Sequence, residues 1–286
     1  MLPAYKGIIT TNGVELWTED FGPRHDRAAV LISGADSPGS RWDLALVEGL
    51  TAAGHRVVRF DNRDCGLSTK IDPDTLYDLN DMARDVVGLL DALGVRAAHF
   101  AGRSMGGMIA QLLALDHRPR VLSLSLLITS PGLGDERLSS PDDGFVEKMA
   151  MRHLAPPPRT RDAKIQYLMD LFALFAGSAF AFEEDRLRAA SAAEVDRSWY
   201  PETGHGHAAW SVPSRLDRLG AIDVPVLIVH GTLDPVVPPD HAQALVDNIA
   251  GARLHLIEGM GHETPAALTP FLLNEMLALF ERATSL

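Results

Sequence analysis

Apolar residues along this chain follow two rhythms. Near the N-terminus they alternate with polar ones. "GIITTNGVELWTEDFG" (7–22) carries two such runs around Asn12-Gly13, which predicts two strands joined by a tight two-residue turn. From residue 28 onward, short continuous apolar runs take over: "AAVLIS" (28–33), "HRVVRFD" (55–61), "RAAHFAG" (96–102), "VLSLSLLITS" (121–130), "VPVLIVHG" (224–231) and "ARLHLIEG" (252–259). Between them lie helical patterns at 42–54, 79–94 and 104–117, and a last one at roughly 268–282 closes the chain. Continuous strands separated by helices predict an α/β fold with a mostly parallel central sheet covered by helices on both faces.

The rhythm breaks between about 132 and 213. "SSPDDG", "APPPRTRD" and "SWYPETGHGHAAW" fall there, with helical segments but no buried-strand run. Because the strand pattern resumes at once with "VPVLIV", this stretch is expected to fold over one end of the sheet as a helical lid (132–213), inserted before the next strand. Residues 1–131 and 214–286 then make one core domain.

Composition narrows the classes. The chain has 286 residues, 46% of them hydrophobic and 22% charged, as in ordinary globular proteins. A formal net charge of −12 repels phosphate backbones, so no nucleic-acid partner is expected. The one cysteine, Cys65, cannot form an internal disulfide. The longest apolar stretch, "LFALFAGSAFAF" (171–182), is too short to span a bilayer, and no signal peptide is read at the N-terminus. A cytoplasmic address with no membrane partner is expected.

Candidate chemistry centres on "GRSMG" (102–106), where a predicted strand meets a predicted helix. A serine presented in so sharp a turn needs small residues two places before and after it, and Gly102 and Gly106 supply them. Ser104 then projects at a helix N-terminus, where N–H groups favour developing negative charge. A serine hydroxyl needs a base, and the base an orienting acid. Asp234, in "HGTLDPVVP", follows one strand, and His262, in "MGHETP", follows the next; parallel neighbours bring both loops to the edge that carries Ser104. The oxyanion donors are expected to be the N–H groups of Met105, just after the nucleophile, and of Ala35, in "GADSPGSRW".

Other residues are weighed against this set. His230 reads as packed at a strand end, Glu258 and Glu263 as misplaced for the acid, and Asp61 and Asp64 as loop-shaping. His205 and His207, in "GHGH", lack accompanying metal ligands and read as part of a solvated lid loop, so no metal and no cofactor is expected. Gly34, Trp42, Phe172, Phe175 and Trp210 are expected to bind substrate, which an apolar or aromatic molecule would suit. Arg103 is left between two places: beside the site, or paired with a lid acid such as Glu183 or Glu184.

With "GRSMGG", "HGTLDPVVP" and "GMGHETP" in that order, the chain resembles the α/β-hydrolase superfamily over nearly its whole length. "RFDNRDCGLST", "LLALDHRPRVLSLSLLITSPG" and "IEGMGH" are similar to the branch that contains anthracycline (aclacinomycin) methylesterases. The usual His-Gly pair before the oxyanion donor is replaced by Ser33-Gly34. The resemblance implies a serine hydrolase of carboxylic esters, a methylesterase working through an acyl-enzyme on a small-molecule, polyketide-like ester. C–C bond, lactone or amide hydrolysis, haloperoxidase chemistry and a non-catalytic binding role remain as alternatives on the same fold.

Overall fold

A computed structural model describes residues 1–23 and 28–284. The N-terminal hairpin forms where expected. β1 (Tyr5–Thr11) and β2 (Val14–Phe21) pair antiparallel, and Asn12 and Gly13 turn between them with φ of 47° and 78°. These positive values let the turn match the right-handed twist of the strands.

The later strands are β3 (Ala28–Ile32), β4 (Arg56–Phe60), β5 (Ala98–Arg103), β6 (Val121–Leu127), β7 (Val226–Gly231) and β8 (Arg253–Ile257). They build an eight-stranded sheet in the order β1-β2-β4-β3-β5-β6-β7-β8, with every pairing from β4 to β8 parallel. Burial explains why the strand sequences are continuously apolar. In β3, Ala28, Val30 and Ile32 enter one core layer while Ala29 and Leu31 enter the other. The first layer packs under α2 (Leu79–Ala92) and α3 (Met105–Asp116); the second packs under α1 (Leu44–Ala52) and α9 (Thr269–Thr284). Helix starts are set chemically: Asp43 caps α1, and Asp78 with Asp81 forms a reciprocal capping box on α2.

Between β6 and β7 run four helices: α4 (Asp143–Leu154), α5 (Arg161–Phe175), α6 (Glu184–Arg197) and α7 (His205–Ser211). They reach the sheet's carboxyl edge through specific contacts. Arg41 pairs with Glu194 at 2.6 Å, and Arg197 pairs with the buried Asp61, also at 2.6 Å. The segment read as a solvated loop, "GHGH", instead starts α7, and His205 is fully buried. The flanking glycines hide this in sequence: Gly204 lies where a Cβ would come within 2.7 Å of the Tyr77 ring, so its smallness serves close packing rather than a loop. α8 (Pro239–Asn248) lies between β7 and β8. No helix among the described residues is long and apolar enough to cross a membrane.

One buried histidine gives the fold a pH dependence. His99 on β5 is fully buried, stacks on Phe280 with centroids 4.0 Å apart, and bonds Ser123 Oγ through Nδ1 at 2.8 Å. Burial, with the neighbouring His55, pushes its pKa down to about 3. The unfolded chain binds a proton there near pH 6.5, whereas the folded chain does not. Stability from this group is therefore complete above about pH 6.5 and is lost as the pH falls from there toward 3, at up to about 1.4 kcal/mol per pH unit. We expect His99→Gln to flatten the fall in urea-unfolding free energy between pH 7 and 4.5; an unchanged slope would contradict the assignment.

Candidate active site

The site is assembled at the carboxyl ends of β3, β5, β7 and β8. Ser104 caps α3 with φ 51° and ψ −121°, a left-handed backbone state that costs about 1–3 kcal/mol for a residue with a side chain. Its neighbours hold it there. Ser104 N–H donates to Leu127 O at 2.9 Å, and Thr129 Oγ1 donates to Ser104 O at 2.6 Å. A Cβ on Gly102 would come within 2.2 Å of Gly106 O, and one on Gly106 within 2.2 Å of Ile32 O. The second clash involves a different strand, so Gly106 serves the approach of α3 to β3 as much as the turn itself.

Asp234 and His262 meet this serine in one hydrogen-bonded line. Asp234 Oδ2 accepts from His262 Nδ1 at 2.7 Å, and His262 Nε2 lies 3.0 Å from Ser104 Oγ. Asp234 Oδ1 accepts from the backbone N–H groups of Val236 and Val237 at 2.9 and 2.8 Å, which fixes the carboxylate plane. Burial would raise the Asp234 pKa. The adjoining His262, through its charged form and its hydrogen bond, outweighs burial and holds the carboxyl below its usual value, helped by His230 and the Val237 N–H. Asp234 therefore stays ionised through the acid side of neutrality. His230, fully buried, donates through Nε2 to Val237 O at 2.8 Å, and burial lowers its pKa, so it supports the acid loop as an uncharged ring.

The Ala35 and Met105 N–H groups have no hydrogen-bond partner among the described residues. Gly34 lies against the nucleophile: a Cβ there would sit 3.2 Å from Ser104 Cβ. Phe175 is more closely tied to the histidine than its sequence suggested. Its ring meets the His262 ring edge-on at 5.4 Å, and its carbonyl accepts from His262 N–H at 2.8 Å. Phe172 packs beside Phe175 at 6.5 Å and lies under the Arg41 guanidinium at 4.5 Å. Trp42 is buried beneath the Arg103 guanidinium, 4.5 Å from its ring. Trp210, placed in the substrate pocket by sequence, is 57% exposed on α7 with its ring over Gly134 and makes no ring contact with His262.

Of the two places left open for Arg103, the pair with Glu183 or Glu184 is not formed. Arg103 stacks on Trp42 and donates to Thr264 Oγ1 at 3.0 Å, while Glu183 pairs with Arg186 and Glu184 with Arg188. Burial, with Arg41 and Arg186 nearby, lowers its pKa to about 10. Among the described residues no group of three His, Cys, Asp or Glu side chains could hold a metal ion.

A strained serine on a strand–helix turn, a strand-end imidazole and a buried carboxylate define a serine hydrolase built on a parallel α/β sheet. The chain belongs to the alpha/beta hydrolase fold family, whose model matches residues 33–265. It is 32% identical to rhodomycin D methylesterase DnrP of Streptomyces peucetius and 33% identical to rhodomycin D methylesterase DauP of Streptomyces sp. strain C5, covering in each case 91% of this chain and 93% of the relative. A crystal structure of a hydrolase from Pseudomonas aeruginosa PA01 superposes with a TM-score of 0.76 at 26% identity, over 96% of this chain and 98% of that one.

The close backbone approach at the turn yields a direct test. Gly106→Ala must push α3 away from Ile32 O, displacing Ser104 from His262. Esterase activity should fall at least about a hundredfold in whatever folded protein is recovered, because a misplacement of roughly 1 Å already costs that much. Near-normal activity in that variant would show that the contact is not needed.

Proposed function

We propose that this protein is a carboxylic ester hydrolase, a methylesterase, that cleaves a medium-sized, apolar or aromatic, polyketide-like ester through an acyl-enzyme. The observation that carries the reading is the unbroken line from Asp234 through His262 to Ser104. The rhodomycin D methylesterase relatives supply the ester class.

In the reaction, His262 Nε2 takes the Ser104 proton as Oγ attacks the ester carbonyl carbon. Asp234 keeps the imidazole oriented and stabilises its charged form. The N–H groups of Met105 and Ala35 receive the oxyanion; loss of one such donor typically costs about 10²–10³-fold in kcat. His262 then returns its proton to the departing methoxide, and methanol leaves. Water enters, gives its proton to His262 and attacks the acyl carbonyl. Collapse of this second intermediate releases the acid and restores the Ser104 hydroxyl with the proton from His262.

Residues 132–213 act as a lid over the core formed by 1–131 and 214–286. Phe172 and Phe175 line the substrate side from the lid, with Gly34 and Trp42 below. Trp210, exposed on α7, completes this set. The substrate is a small molecule, no nucleic acid is bound, and the protein works in the cytoplasm.

Turnover of a panel of aryl and polyketide methyl esters, followed by methanol release, tests this reading. The wild type should release methanol from at least one of them, with kcat lowered by about 10⁴-fold or more in Ser104→Ala. Retained turnover in the variant, or none by the wild type on any ester, would overturn the proposal.

A further inference from the structure

The imidazole of His205 sits where the inserted helices meet the loop that carries Ala35. The ring is fully buried and both of its nitrogens are engaged. Nε2 lies 2.7 Å from Arg63 O; a carbonyl only accepts, so Nε2 carries the proton. Nδ1 is left as an acceptor, and Asp36 N–H donates to it at 2.8 Å. Asp36 Oδ1 lies 3.2 Å from the same nitrogen and is bound by the Thr203 hydroxyl.

The Arg63 end of this bridge is rigid. Its guanidinium is buried in a two-pronged pair with Asp85, both contacts at 2.7 Å, and lies over the Tyr77 ring. The Ala35 end is weakly held by itself. Asp36 has φ 57°, and the turn's own closing bond, Ser37 N–H to Gly34 O, is stretched to 3.4 Å. The loop's base is tied by Asn62 Nδ2 to Ser33 O at 3.2 Å and by Gly39 N–H to Asp61 Oδ1 at 2.8 Å, but those bonds lie to either side of the tip.

We infer that His205 is a positioning residue for the oxyanion hole: its Nδ1, carried on α7, accepts from the Asp36 N–H, so that the inserted helices hold the Ala35 N–H in place over Ser104. The inference rests on the reading of Ala35 as an oxyanion donor. It makes the insertion part of the catalytic geometry as well as a cover for substrate. A merely structural role, filling space under α7, would depend on ring volume and on either hydrogen bond alike.

Two conservative variants separate these roles. Asparagine carries an acceptor near the Nδ1 position and glutamine a donor near the Nε2 position. His205→Asn should keep kcat within about threefold of wild type, because Asp36 N–H retains its partner. His205→Gln should keep the Arg63 tie, lose the Asp36 tie, and lower kcat by at least about tenfold with KM little changed, part of the loss that removing a donor outright would cause. The inhibition constant of an aryl trifluoromethyl ketone, which forms a hemiketal oxyanion with the serine, should rise in parallel with the loss in kcat/KM. Equal losses in the two variants, a glutamine variant matching wild type, or an unchanged ketone affinity would overturn the inference.

Thr203→Val, at a half-buried position, gives a second reading should the buried substitutions fail to fold. It should lower kcat severalfold at constant KM, and an unchanged kcat would count against the clamp. The same assays run on wild type and Ser104→Ala separate the two levels. If wild type turns over no ester, the ester-hydrolase reading itself fails. If wild type turns over and the variants do not differ as stated, only the clamp fails.

Discussion

The site depends on one residue held in a conformation it would not choose. Ser104, at φ 51°, is strained, and strain of this kind persists only when the surroundings over-determine it. Here they do so from several sides. Leu127 O and Thr129 Oγ1 fix its peptide groups, Gly102 and Gly106 let the turn and α3 close onto β3, and Gly34 approaches from the adjacent loop. Each of these supports belongs to an element of the buried sheet or packs against it. The free energy of the whole core therefore stands behind the exposure of a single hydroxyl.

Electrostatics adds the second condition. A carboxylate as deeply buried as Asp234 is costly unless it is fully hydrogen-bonded. Two backbone N–H groups and His262 meet that demand, and the uncharged His230 closes the space beside it. The acid can thus remain ionised at the pH at which the imidazole must accept a proton. The histidine is steadied from the opposite side by α5, through the Phe175 carbonyl and ring. The close packing of Gly177 against Gly259 and Gly261 allows that approach, since a Cβ on Gly177 would fall 2.1 Å from Gly259 O.

Much of this was legible in the sequence because it follows from local rules. Continuous apolar runs predicted the parallel strands within a few residues at each end, and Asn12-Gly13 predicted the hairpin. Glycine spacing around Ser104 exposed the turn, and strand-end positions singled out Asp234 and His262, which the structure brings together. What stayed hidden are contacts between segments remote in sequence. His205 lies 169 residues from Asp36, and glycines on either side made it look solvated. Arg103 could not be assigned because its partner is the face of an indole rather than a carboxylate.

The most direct measurement of the central claim is chemical. A fluorophosphonate should phosphonylate Ser104 by displacement of fluoride, and peptide mapping by mass spectrometry should find the adduct there. Labelling should be slowed by orders of magnitude in His262→Ala, since the hydroxyl then lacks its base. An adduct on any other residue, or an unaltered labelling rate without the imidazole, would contradict the account.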